Sequence, residues 1–558
     1  MKMQFCFGLA VLGLLQFSAM ASTSYDKLPV PKKGGNMNVT ISINPANLSP
    51  ILESDLESRR VAGNFYLPLF DTDLANYNPF PSLAEKVEIS KDKKDYTYTL
   101  NSKAIWSDGT AVTSDDVVYS FERMMDPKVN AAAIRGYFDG IVLTKIDDHK
   151  FKFHVDQPPY NILTTLNGFQ PFQKKQFVNE PDFNKSKEHL RPVGTGPYIV
   201  KSFSRDQAMV LERLPNWWAK DLPQYRAKFN QDTLTYKIIS DPALEYEKFI
   251  KGDIDLVNFT SDQYVNQVKK GDADKIGASP KDGKKVWGNK LPTDGPMGWF
   301  GIALNTKVPM LSSKLTRQGL AYLVDYQTII DRAFFGQIEQ SVSPFGSNTE
   351  NSDPGLRAKK GLYTFNPTKS AELFAKDGWK KEPGQPFLMK MIDGTNTPFH
   401  ILLKFGTGNP AVSKISVILK EIFKKSGVDL ELRAMDGTSL YKDFEEKQFE
   451  ALVMGWGGGD LAPDPKQLWA TESIPHGSNY VSFSNAKADE LIKKADLEFN
   501  RKKREKIMQQ INRIIYEEVP YIFVAERHFI LQGINSRFKS PMWIERFGDQ
   551  PAKELFHE

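Results

Sequence analysis

A single hydrophobic core stops growing near ~250–300 residues, and this chain has 558. It must therefore fold around at least two cores, as two large lobes or as one lobe with a sizeable insertion. The aromatic share of 12% is generous and gives large surfaces to fill, inside those cores or along a cleft. Basic and acidic residues number 73 and 68, for a formal net charge of +5. Over this length that is close to balance, and it makes no case for nucleic acid or for an acidic partner.

The first 21 residues read as a secretory signal. Lys2 gives a short positive region, Phe5 to Leu15 is an apolar run interrupted by Gly8 and Gly13, and Ala19-Met20-Ala21 is a cleavage site, so Ser22 should begin the mature chain. The apolar run is shorter than the ~20 residues that a spanning helix needs. The only cysteine, Cys6, lies inside this segment, too early to be a lipid-carrying cysteine. The mature chain should then have no cysteine, disulfide or lipid, which suits an oxidising compartment. No later segment is long and apolar enough to span a bilayer. These features predict a soluble protein of the periplasm.

Residues 22–38 read as an extended lead-in, followed by a strand from Asn38 to Ile43. Tyr96, Tyr98 and Leu100 alternate with polar residues, as do Phe151, Phe153 and Val155, so each set predicts a half-buried strand. Thr113 with Asp116 makes a capping box, Val117, Phe121, Met124 and Met125 share one helical face, and Pro127 stops the run. Ile415, Ile418, Leu419, Ile422 and Phe423 fall at helical spacing before Gly427, and Val428, Leu430 and Leu432 then alternate. That helix–strand step is an α/β signature. Tyr322 to Phe334 and Ile507 to Val519 read as two further helices. The whole predicts mixed α/β lobes rather than a barrel or a bundle.

Catalytic motifs are sparse. The seven histidines form no ligand pair at helical spacing, and there is no H-E-x-x-H, G-x-S-x-G or P-loop. No metal or cofactor is expected. Carboxylate pairs carry no motif, so a hydrolase of the glycosidase kind stays open. The segment Phe449 to Asp460 runs a buried strand into Gly457, Gly458 and Gly459 and delivers Trp456 and Asp460 at its end. Glycines allow a close backbone approach or positive φ, and an aspartate beside apolar walls is suited to an ammonium group. A plain strand-to-loop turn with a solvated aspartate is the other reading.

Six segments, taken in order, resemble family 5 of the bacterial extracellular solute-binding proteins, the oligopeptide/dipeptide-binding group. They are Ala104 to Thr110 with Thr113 to Phe121; Pro192-Val193-Gly194-Thr195-Gly196-Pro197-Tyr198; Leu214-Pro215-Asn216-Trp217-Trp218; Glu245 to Val257 with its Lys251-Gly252-Asp253-Ile254-Asp255 turn; Leu304-Asn305-Thr306 with Leu315 to Leu320; and Asn479 to Asn485. The similarity covers nearly all of the mature chain. Several features resemble the branch that imports longer peptides and peptide-nucleotide antibiotics such as microcin C.

The resemblance implies a two-lobed, periplasmic-binding-protein-like (type II) α/β fold with a hinge and an extra α/β subdomain in the first lobe. The expected layout is a signal at 1–21, lobe I at 22–300 with the subdomain at about 67–190, lobe II at 301–520, and a return to lobe I at 521–558. Chain crossings should fall near Trp299 to Asn305 and near Pro520 to His528. It further implies a monomer that captures peptides, passes them to an inner-membrane ABC permease and does no chemistry. In dipeptide binders the aspartate of a G-W-x-G-D segment meets the ligand ammonium, which matches Trp456 and Asp460 here. The loop is one residue longer than the pattern, and Asp464 is the alternative. Another solute on the same scaffold (an oligosaccharide, a nickel complex or haem) stays open, with His476 as the histidine nearest the loop. Trp217-Trp218 read as lobe packing, and Arg59-Arg60 and Arg501 to Arg504 as solvated faces.

Overall fold

The computed structural model describes residues 15–18, 30–52, 55–73, 77–269, 276–278, 282–293, 297–458, 463–539 and 556–557. Two separate mixed sheets carry the two lobes. In the first, eight strands run in the order 276–277, 286–292, 529–535, 256–258, 36–41, 233–238, 208–213, 198–204. Strand Asn36–Ile41 lies parallel to both Thr233–Ile238 and Leu256–Asn258. The second sheet has five strands in the order 429–435, 400–406, 451–457, 298–304, 521–526. Its strand His400–Gly406 is parallel to both Asp429–Met435 and Ala451–Gly457. The connecting helix Pro410–Lys425 buries Ile415, Leu419 and Phe423, as the periodicity requires, and Gly427 at φ 80° turns the chain into the next strand.

The chain leaves the first sheet after Pro292 and joins the second at Gly298; it leaves the second after Glu526 and rejoins the first at Phe529. Strand Tyr521–Glu526 thus lies in the second sheet, beyond the boundary expected at 520. A third, antiparallel sheet hangs on the first lobe, in the order 15–18, 84–89, 95–100, 150–155, 141–145. Most of the expected signal segment lies outside the described residues; Leu15–Ser18 runs along Ala84–Ile89 as an edge strand. Rings fill this subdomain: Tyr98 stacks on Phe151 at 5.7 Å, and Phe121 meets Phe138, Phe153 and Phe169 edge-on. Here the generous aromatic content becomes core.

Most of the recognisable segments act as fasteners. Helix Ser114–Met125 starts on the Thr113/Asp116 capping box. Asp116 also accepts from the Trp106 indole at 3.2 Å and from the Lys174 amide at 2.9 Å, so one carboxylate ties the Trp106 turn to the helix and to the loop beyond. Gly194 and Gly196 let the backbone lie against Phe65, whose carbonyl a Cβ at either position would strike. Trp217 and Trp218 both donate to the Thr195 carbonyl, at 2.8 and 3.0 Å, which is the packing role expected. Asp255 is fully buried and accepts from the Asn38 amide at 2.8 Å and Asn535 Nδ2 at 3.0 Å, joining strands from opposite ends of the chain.

Two expectations change. The span Tyr322 to Phe334 is two helices, Lys314–Tyr322 and Tyr326–Phe334, because Asp325 caps the second by accepting from the Thr328 amide at 3.0 Å. The last long helix begins earlier than expected and covers Arg501–Glu518, with Asn500 as its N-cap. Among the described residues, no helix is long and apolar enough to cross a membrane.

Candidate functional site

Strand Ala451–Gly457 is the middle of the second sheet, and its register places Trp456 opposite Trp299 and Gly457 opposite Gly298. Buried on its first three residues, the strand delivers the glycine run to the edge of the lobe. Gly457 and Gly458 are exposed, and a side chain at Gly457 would meet open space. Gly459 and Asp460 lie outside the described residues. Asp464 lies just past that gap and is held in an Asx turn, its Oδ1 accepting from the Lys466 amide at 2.8 Å.

Asp464 lines a cavity of about 860 Å³ whose other walls come largely from the first lobe and its subdomain. Segment 68–72 and the residues around helices Ala132–Arg135 and Ile162–Asn167 supply most of the surface. Trp456 does not line this cavity: its ring stacks on Tyr480 at 6.0 Å and its indole donates to the Tyr521 hydroxyl at 3.2 Å, so it braces the strand from behind. Arg504 does line it. The basic run at the start of helix Arg501–Glu518 is exposed through Lys503 as expected. Arg504, however, turns inward, lays its guanidinium 3.8 Å from the Tyr160 ring and donates to the Glu498 carbonyl at 3.0 Å. The four residues look alike in sequence; only their rotation about the helix separates them.

Several contacts join the lobes beside this cavity. The Tyr160 amide donates to the Asp496 carbonyl at 2.8 Å. Gln467, which is 3% exposed, packs against Gly136, where a Cβ would come within 2.9 Å of Gln467 Cδ. Burial pushes the Asp496 carboxyl up to about 7; the Asp464 charge adds to the rise, Lys466 opposes it, and Glu472 adds again. A closed form that holds this proton is favoured most below pH ~4, the ordinary aspartate range, and loses that advantage as pH rises through about 7. The unliganded protein should therefore open as pH is raised from 5 to 8, read as a growing radius of gyration in solution scattering, and Asp496→Asn should flatten that response.

A smaller polar cavity, about 210 Å³, lies where the parallel strands of the first sheet end, lined by Thr40, Glu57, Arg60, Glu245 and, from the second lobe, Gly408. Arg60 is less solvated than expected: it donates to the Thr40 carbonyl at 3.4 Å and sits 3.7 Å from Glu57. His476 is exposed and lines neither cavity. Among the described residues, no group of three or more His, Cys, Asp or Glu is placed to hold a metal ion.

The sequence profile described as bacterial extracellular solute-binding proteins, family 5 (middle region) matches residues 78–479. The chain is 25% identical over 537 residues to the oligopeptide-binding protein AppA of Bacillus subtilis, covering 94% of this chain and 91% of that one. It is 24% identical over 473 residues to the dipeptide-binding protein DppE of Bacillus subtilis, covering 80% and 78%. The solved structure of Bacillus subtilis AppA in complex with a nonapeptide superposes with a TM-score of 0.82 at 23% identity, over 95% of this chain and 100% of that one. NikZ of Campylobacter jejuni, solved with Ni(L-His), gives 0.73 at 22% identity over 93% and 96%. With two lobes, two chain crossings and a cavity between them, the chain belongs to family 5 of the bacterial extracellular solute-binding proteins.

Proposed function

We propose that this protein is the peptide-capturing component of an ABC importer. It is exported to the periplasm by its N-terminal signal, which is cleaved after Ala21, closes on its ligand by hinge motion, presents the closed shape to a membrane permease and does no chemistry. The carrying observation is the cavity of about 860 Å³ that joins the first lobe and its subdomain to Asp464 and Arg504 of the second. A ligand that touches both walls favours the closed form, since only differential affinity shifts such an equilibrium. Its volume is within the ~300–1,000 Å³ range of ligand sites. An aspartate on the loop after Trp456 suits a peptide's N-terminal ammonium, and Asp464, among the described residues, lines the cavity. The names of AppA and DppE agree with this reading. We place the lobe boundaries at 292–298 and 526–529, where the chain changes sheets.

The test is direct. Protein purified under native conditions is denatured, and what leaves it is identified by mass spectrometry. Peptides with free N-termini are the expected result. A sugar, a haem or a metal complex would leave the trap in place and overturn the peptide assignment.

A further inference from the structure

The cavity is chemically lopsided. On the first-lobe side its wall includes Phe70, Met124, Ile134, Tyr137, Phe138 and Phe169. Phe70, Met124, Phe138 and Phe169 are anchored in the core at 0–6% exposure, so the wall is rigid. Tyr137 differs, with 41% of its surface open, and presents an aromatic face to whatever enters. Among the described residues, the charged side chains lining the cavity are Asp71, Asp464 and Arg504. The guanidinium of Arg504 is engaged by the Tyr160 ring and the Glu498 carbonyl. Among the described residues the space is therefore largely apolar and aromatic on the first-lobe side, where Asp71 lies beside Phe70, and carries Asp464 and Arg504 opposite, with a formal balance of one negative charge.

Resting on the peptide-capture reading, we infer that this cavity selects peptides whose first residues carry bulky apolar or aromatic side chains, and that it rejects acidic ones. With the ammonium at Asp464, the side chains that follow meet the Phe70–Phe169 wall, where burial of apolar surface rewards size. An acidic side chain there meets the Asp71 carboxylate in a space that excludes much of the solvent, where like charges repel strongly. A basic residue is drawn by Asp71 but buries less apolar surface against the rest of the wall, so it ranks between the two.

The experiment uses the full mature protein, freed of bound ligand by denaturation and refolding. Peptides of one length with free N-termini, differing only at positions 1 to 3, compete against a fluorescent peptide. Phe, Tyr or Leu should bind roughly 10-fold or more tighter than Gly at the position that meets the wall, and Asp or Glu weaker than Gly. Tyr137→Asp is chosen as the variant because residue 137 is exposed and its replacement leaves the core alone. It should lower affinity for Phe-bearing peptides and raise that for Lys-bearing ones, with an unchanged melting temperature. Equal affinities across the series, or a Tyr137→Asp variant with the native ranking, would overturn the selectivity while peptide capture stands. If no peptide competes at all, capture itself fails, and the two failures are told apart.

Discussion

Asp464→Asn should weaken binding of a peptide with a free N-terminus on the order of 10²-fold, and leave binding of its N-acetylated counterpart nearly unchanged. Removing one partner of a desolvated charge pair typically costs about 2–5 kcal/mol, which is the source of that magnitude. The substitution is a narrow one. Asparagine retains the Oδ1 acceptor that holds the Lys466 amide at 2.8 Å, so the Asx turn survives and only the charge is lost. Losing the Asp464 charge also removes one of the influences that raise Asp496, so the pH response of opening should move to lower pH in this variant. Titration calorimetry on Asp464→Asn and Asp460→Asn side by side decides between the two aspartates. A loss confined to the Asp460 variant would move the ammonium contact four residues upstream.

Gly136→Val should lower peptide affinity by about one to two orders of magnitude while leaving the unliganded protein's melting temperature almost where it was. The backbone at Gly136 is ordinary, at φ −59°, so no glycine is needed for conformation. Space is what forbids a side chain: its Cβ would strike the amide end of Gln467. Gln467 has little room to withdraw, because it is 3% exposed and a Cβ at Gly477 would lie 2.7 Å from its Oε1. Overpacking of this kind costs about 1–3 kcal/mol, and it falls only on the form in which the two lobes meet. Gln467→Ala in the same chain should restore most of the affinity. Scattering profiles with saturating peptide would show whether the variant stays open; full closure would mean that the 136–467 contact does not limit the motion.

The sequence was most readable where a residue acts on its own neighbourhood. The Thr113/Asp116 cap, the Gly427 stop and the alternation around Tyr98 and Phe153 each require only local chemistry, and each stands in the structure. The split of Tyr322 to Phe334 was legible in principle, since Asp325 precedes Thr328 at capping distance, but continuous apolar spacing masked it. The site was harder. The loop after Trp456 points to Asp460 first and to Asp464 as the alternative, whereas the wall that Asp464 faces is assembled from 68–72, 134–138 and 163–169, segments that share no spacing and meet only through the subdomain's packing. Arg504 was indistinguishable from its basic neighbours because its partner, Tyr160, lies more than three hundred residues away on the other lobe.

The place of strand Phe529–Asn535 bears on the order in which the chain can be finished. It pairs with Leu256–Asn258 on one side and with Val286–Pro292 on the other, and each of its seven residues is buried. A nascent chain can complete the second lobe, residues 298–526, before this strand exists, but the first sheet keeps a gap until residues 529–535 are made. Long-range pairing of this kind is slow to form. On the export route proposed above, a first lobe that waits for this strand would keep the polypeptide open until residues 529–535 have emerged.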